Sequence, residues 1–248
     1  IAIDYSLLAI PEIKAVIEKQ GKIGSRQGLE IEATEDEGTD VEVEGNSSDD
    51  TETTPTSSDE NTSIGEEENI EDYKGQFAMY YARILFFAFL TDSQVKSLKE
   101  TIDCINSNVD NSRILSNLSL DIEVLKLFQQ YVNPFILREL DYKIQNINSL
   151  ANDKNLEPEK RASNALKKFS RLSDSEVVTP ENVTDMIVNT LPASAFENSK
   201  RLIDIAAKQG EFVYAVYKRY GKDIANNFYS IPTSKIAYEF TRKVYKLL

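Results

Sequence analysis

Histidine is absent from all 248 residues. A Ser-His-Asp or Cys-His catalytic pair and any histidine-containing zinc site are therefore excluded within this chain. Cysteine is almost as scarce. Cys104 stands alone, which excludes an internal disulfide and a CxxC metal pair and suits a reducing compartment. No metal site is expected. Long hydrophobic runs are missing too. The longest, residues 77–90, is interrupted by Arg83 and falls short of the roughly 18–20 residues that a membrane span needs. It reads as a buried helix, and no membrane partner is expected. The chain starts at Ile1 with no charged, then apolar leader, so a cytoplasmic piece of a longer polypeptide is expected. Neither a Walker Gly-Lys-Ser/Thr loop nor a nuclease carboxylate-lysine signature can be read.

What the chain does have is acid, unevenly placed. Against 28 Lys and Arg stand 41 Asp and Glu, a formal net charge of −13, which taken whole argues against a nucleic-acid partner. Between Glu30 and Asp72, however, lie 18 carboxylates and no base. The remaining 205 residues hold 23 acids against 28 bases, a balance of +5. The acidity belongs to one segment, so the electrostatic objection does not extend to the rest.

That segment, residues 29–72, is rich in Glu, Asp, Ser and Thr and has no aromatic residue. Such a composition buries too little apolar surface to offset chain entropy, so a flexible insertion is expected. Leu29-Glu30-Ile31-Glu32 and Val41-Glu42-Val43-Glu44 alternate with period two and form the competing expectation, an edge hairpin. Before it, residues 1–28 form a helical segment, with Pro11 as a break or a helix start. After it, residues 73–172 read as a helical domain. Phe77, Tyr80, Tyr81, Ile84, Leu85, Phe87, Ala88 and Phe89 cover more than one face of a helix. Thr91 or Asp92 caps the next helix, residues 106–117 read as an Asn- and Ser-rich connector, and a helix follows over about 121–132. Asn133-Pro134 ends it, and Pro158 opens a helix with a basic face of Lys160, Arg161, Lys167 and Lys168, continued by Arg171.

From residue 173 the texture changes. Thr179 is placed to cap a helix with Pro180 in its first turn. Residues 201–207 suit a buried strand, followed by Gly210 and a helix ended by Gly221. Residues 227–231 suit a second strand, and Ser234 caps a last helix. The fold class expected is mainly α: a helical bundle followed by the beginning of a parallel α/β domain. In a βα unit the turn between strand and helix is where ligands meet backbone amides. Asp204, Ala206 and Gly210 occupy that turn. On spacing alone an acid and a glycine at a strand end have a structural reading as readily as a functional one.

Two segments together say more. Asp204-Ile205-Ala206-Ala207-Lys208-Gln209-Gly210-Glu211-Phe212 resembles the cofactor-binding motif of adenine-specific, S-adenosylmethionine-dependent DNA methyltransferases, whose usual run is Asp-Pro-Ala-Cys-Gly-Ser-Gly-x-Phe. Val178-Thr179-Pro180-Glu181-Asn182-Val183 resembles the Thr-Pro motif that precedes it there, and Thr179 lies 25 positions before Asp204. The resemblance implies a Rossmann-like methyltransferase domain that starts at residue 173. It implies Thr179 and Pro180 closing over the cofactor, Asp204 near its methionine portion, Ala206 and Gly210 allowing backbone access, and Phe212 in the motif's aromatic place. The match departs from the family at Lys208, which replaces a glycine, at Val178, which replaces an aromatic residue, and at Ser230-Ile231-Pro232-Thr233, which supplies no ribose-binding acid. The family's catalytic Asn/Asp-Pro-Pro-Tyr/Phe run does not occur in the chain. No catalytic residue is named, and the chain alone is not expected to methylate DNA.

Upstream, Tyr80-Tyr81-Ala82-Arg83-Ile84-Leu85-Phe86-Phe87-Ala88-Phe89-Leu90-Thr91, followed by a long helical stretch and a methyltransferase start, resembles type I restriction enzyme R proteins fused to a modification module. There a helical coupler joins an ATP-driven DNA motor to the methyltransferase. The implied partners are DNA, met by Lys167, Lys168 and Arg171, and other domains or subunits of a restriction-modification enzyme. The implied cofactor is S-adenosylmethionine, with ATP and Mg confined to the motor elsewhere. A second reading, favoured by Lys208 and the missing ribose acid, is a non-enzymatic helical scaffold or interaction module with a degenerate cofactor site.

Overall fold

The computed structural model describes residues 3–24, 63–169, 171–173 and 176–248. The expected flexible insertion and its competing hairpin fall, over residues 29–62, outside the described residues. The last ten residues of that acidic segment are helical, because helix α2 runs from Ser63 to Leu90 and not from Tyr73.

Ahead of the segment, a short 3-10 turn (Tyr5–Ala9) leads into α1 (Pro11–Gly24), so Pro11 opens a helix. Ile13 and Ile17, one turn apart, are fully buried, and α1 packs on α2. Every residue of α2 from Tyr80 to Leu90 is buried, as its all-round apolar pattern predicts. Beyond it come α3 (Leu98–Ile105), α4 (Val109–Asn117), α5 (Ile122–Tyr131), α6 (Pro134–Asn152) and α7 (Pro158–Lys168).

Two expectations here need correction. Ser97, not Thr91 or Asp92, caps α3, accepting from the Glu100 amide at 3.1 Å. The supposed connector at 106–117 contains α4, capped by Asn108, which accepts from the Asn111 amide at 2.7 Å. Asn and Ser favour loops, yet their side chains bond the backbone equally well as caps. The Asn111 side chain is itself buried and accepts from the Thr91 hydroxyl at 2.7 Å.

After α7, β1 (Arg171–Ser173) and β2 (Glu176–Val177) form a short antiparallel pair. Then follow α8 (Glu181–Asn189), β3 (Leu202–Ala207), α9 (Glu211–Tyr220), the single turn α10 (Lys222–Ala225), β4 (Phe228–Pro232) and α11 (Lys235–Leu247). The chain is mainly helical, and β3 and β4 pair in parallel with Leu202 opposite Phe228 and Asp204 opposite Ser230. Residues 201–207 do form a strand, but not a buried one. Ile203 is 57% and Ile205 74% exposed. Only the side carrying Leu202 and Phe228 packs on the core. Tyr229 and Ile231 share the outer side with the two isoleucines, and among the described residues β3 pairs with no strand except β4.

Helix α11 fastens this unit to the helical body in two ways. Its Phe240 stacks on Phe89 of α2 at 5.2 Å between ring centroids and meets Phe169 edge-on at 5.5 Å. Phe169 in turn lies 4.9 Å from Phe86 and 4.7 Å from Phe89. Beside the rings runs a polar network. Glu239, 2% exposed, accepts from Arg113 Nε at 2.8 Å and from Asn117 Nδ2 at 2.6 Å, both on α4. Lys243, 3% exposed, donates to the Thr91 carbonyl at 3.0 Å and to Asp92 at 2.9 Å, just past the end of α2. Helix C-termini leave carbonyls without intrahelical partners and favour cations, so this is a place where an ammonium can be buried. Asn148 of α6 serves the same helix end, donating to the Ala88 and Ser93 carbonyls at 2.8 and 2.9 Å. Burial lowers the Lys243 pKa despite Asp92.

The network makes stability depend on acid pH. Hydrogen bonds from Arg113 and Arg242 hold Asp110 far below the usual carboxylate range. Burial raises Asp92, but bonds from Lys246 and Lys243 outweigh it and its pKa is also lowered. Depressed carboxylates contribute stability above their ordinary pKa of about 3.9, and that contribution is lost as pH falls through the lowered values. The melting temperature of the protein is therefore expected to fall below about pH 4, with a shallower fall in Asp110→Asn, as thermal unfolding followed by circular dichroism would show.

Candidate functional site

The β3–α9 turn is built around Gly210. It precedes α9 as its cap residue with φ of +81°, in the left-handed region. A Cβ there would lie 3.2 Å from Val244 Cβ on α11. Conformation and close approach both require glycine at this position. Gly210→Ala is expected to cost about 1–2 kcal/mol from backbone conformation alone, with the Val244 contact adding to it. Urea unfolding would measure the loss.

On either side of Gly210 sit two buried polar residues, Gln209 and Glu211. The Gln209 amide N–H donates to Glu211 Oε2 at 2.9 Å, and Gln209 Nε2 donates to the Phe169 carbonyl. The Gln209 Oε1 is buried with no hydrogen-bond partner. Glu211 stands in the first turn of α9, where the helix dipole favours a carboxylate. Both residues line a cavity of about 100 Å³ together with Thr179, Thr184, Tyr214 and Lys167. Burial raises the Tyr214 pKa.

The opposite wall of the cavity comes from the start of α8, which is tied to α9 by charge. Lys218 of α9 bonds Glu181 at 2.9 Å and Asp185 at 2.7 Å. Arg219 donates to the Val188 and Leu191 carbonyls at the other end of α8. Thr179 does not cap α8 as expected. Pro180 takes the cap position with an extended ψ of 147°, the helix begins at Glu181, and Thr179 is left half-buried at the cavity wall.

The structure therefore brings Thr179, Lys167 and the residues around Gly210 together and separates the others. Pro180 is exposed beside the cavity. Asp204 lies within β3, where its carboxylate accepts from the exposed Ala206 amide at 3.1 Å, and neither residue lines the cavity. Phe212 packs against the hydrophobic core. Of the expected DNA-facing residues, Lys168 is exposed, Lys167 is exposed at the cavity rim, and Arg171 opens β1. Arg161, on the same helix, is engaged with the Ala151 carbonyl at 3.3 Å. Gln209, Glu211, Thr184 and Tyr214 received no role from the sequence. The available signal was an acid and an amide flanking the one glycine that a strand-to-helix turn requires.

The lining fits S-adenosylmethionine only in part. Sites for ligands of that size usually enclose about 300–1,000 Å³, several times this cavity. Buried acceptors and a rim cation suit one polar end of such a molecule. At the end of β4, Ser230, Pro232 and Thr233 offer no carboxylate for ribose hydroxyls.

What the fold and site define is a mainly helical protein with a strand–helix–strand–helix unit and a small cavity at that unit's first strand-to-helix turn. No family model, curated protein or solved structure matches the chain. Among the described residues no helix is long and apolar enough to cross a membrane.

Proposed function

We propose that the chain is the helical coupling region and the cofactor-binding opening of an adenine-specific DNA methyltransferase within a restriction-modification enzyme, inactive as a methyltransferase by itself. The observation that carries this reading is the meeting of Thr179 with the β3–α9 turn in one cavity. Those two segments, 25 residues apart in the chain, are the two that resemble the methyltransferase motifs. A parallel β3–α9–β4 arrangement also supports a Rossmann-like beginning.

In this reading Thr179, Gln209 and Glu211 stand nearest one end of S-adenosylmethionine, while Gly210 serves the turn and the close approach of α11. When bound, the cofactor supplies an electrophilic methyl group. Lys167 and Lys168, exposed on α7, are available to DNA phosphates. The bare outer face of β3 and β4 favours the second reading, an interaction module with a degenerate cofactor site.

Titration calorimetry with S-adenosylmethionine, paired with hydrogen exchange over residues 204–216, separates them. Heat of binding and slowed exchange in those residues are expected. No heat and no protection at millimolar cofactor would remove the methyltransferase reading and leave the scaffold.

A further inference from the structure

The loop from α2 to α3 and the last two turns of α6 enclose a groove of about 360 Å³ that shares no residue with the cavity at the β3–α9 turn. Its volume falls within the roughly 300–1,000 Å³ usual for a small-molecule site. One wall is a helix face. Gln145, Asn148, Ser149 and Asn152 recur at the three- and four-residue spacings that place side chains on one side of a helix, and all four are polar and uncharged. Asn148 is buried and already engaged, accepting from the Val95 amide at 3.3 Å while donating to the Ala88 and Ser93 carbonyls. It fixes the loop against the helix, so the groove is shaped before any ligand arrives. By contrast, the carboxamides of Gln94, Gln145 and Asn155 are exposed in the groove and make no hydrogen bond among the described residues. Lys96 and Lys154 line it too, exposed and paired with no carboxylate among the described residues. Asp153 is the one acid in the lining and accepts from the Asn155 amide at 2.9 Å. Two ammonium groups against one carboxylate leave a surplus positive charge.

We infer that this groove binds a phosphorylated sugar, its hydroxyls on the carboxamides of Gln94, Gln145 and Asn155 and its phosphate on Lys96 and Lys154. A carboxamide offers both donors and an acceptor, and a hydroxyl does the same, so a set of unengaged carboxamides is matched by a ring that carries several hydroxyls. Lysine serves phosphate as a point charge. Other chemistries fit less well. Val95 is the one apolar side chain in the lining and is itself buried, so a lipid chain or a nucleobase has no surface to lie on. The ammonium groups repel a metal cation. Size agrees: a guest of six heavy atoms such as benzene takes about 150 Å³, which scales to about 400 Å³ for the sixteen of a hexose phosphate, against about 360 Å³ here.

The test is titration calorimetry on the full chain with glucose 6-phosphate, ribose 5-phosphate, glucose and inorganic phosphate, paired with hydrogen exchange to locate the site. Both sugar phosphates are expected to bind and to slow exchange over residues 93–97 and 145–155. Glucose and inorganic phosphate, each holding half of the contacts, are expected to bind at least about tenfold more weakly. Lys96→Met with Lys154→Met changes two exposed side chains and should bring the sugar phosphates down to the level of glucose. Gln145→Ala with Asn155→Ala, also exposed, should weaken the sugar phosphates and spare inorganic phosphate. Inorganic phosphate binding as tightly as the sugar phosphates would reduce the groove to an anion site and overturn the inference. So would protection confined to other residues, or no heat from either sugar phosphate at millimolar concentration.

Discussion

Phe240→Ala is expected to lower the unfolding free energy by about 3–5 kcal/mol, the usual cost of removing a buried aromatic ring. Phe240 is fully buried, and its ring touches Phe89, Phe169 and Phe86 at centroid distances of 5.2, 5.5 and 6.0 Å. Three neighbouring rings on α2 and the end of α7 cannot all collapse into the space, so a cavity remains. Leucine in the same place keeps part of the volume and should cost less, about 1–2 kcal/mol. Urea unfolding of the three proteins would give the order. Equal stability of wild type and the alanine variant would mean that α11 is not held by this cluster. Damage should also reach the cavity, because the Phe169 carbonyl anchors the Gln209 side chain. Faster amide exchange at residues 209–211 is the second expected readout.

Glu239→Ala should be nearly as harmful, for a different reason. The carboxylate is buried and takes hydrogen bonds from Arg113 and Asn117, so its loss leaves two donors without their acceptor. Breaking a fully buried pair costs about 3–5 kcal/mol. The Arg113 side chain is 29% exposed and also bonds Asp110, so water and that neighbour reduce the loss to about 2–3 kcal/mol. The double variant Glu239→Leu with Arg113→Met removes both charges and should be more stable than Glu239→Ala. If instead the double variant shows the sum of two independent losses, the pair is not energetically coupled.

Much of the helical body was legible. Ile13 and Ile17, the apolar block at the end of α2, a helix that begins near Asp121 and the break at Asn133-Pro134 follow from spacing and from proline chemistry. Ser234 and Gly221 bound their helices as expected. Residues whose side chains bond backbone were harder. Asn108 reads as connector, Ser97 as a position inside a helix capped at Thr91 or Asp92, and Thr179 as a cap, because the same short polar side chains serve turns, caps and cavity walls. Outside the local pattern altogether lay Lys243 and Glu239, which look like solvent-facing charges of an amphipathic helix until the end of α2 and Arg113 are brought to them. In the candidate site, Gly210 could be found from its turn, whereas Gln209 and Glu211 acquire meaning only from Phe169 and Thr179, 40 and 30 residues or more away in the chain. Periodicity also misjudged β3, since an apolar run is compatible with one covered face or two.

That half-covered strand pair bears on how the protein behaves in bulk. Ile203, Ile205, Tyr229 and Ile231 form an oily strip beside main-chain amides and carbonyls that, among the described residues, no further strand occupies. Strand edges of this kind template growth from one molecule to the next. Association at high concentration is then expected to begin at this strip, against the repulsion of the chain's net charge of −13. Sulfate, which strengthens apolar association, should salt the protein out through the β3–β4 face first, and Ile205→Lys should raise the sulfate concentration at which light scattering begins.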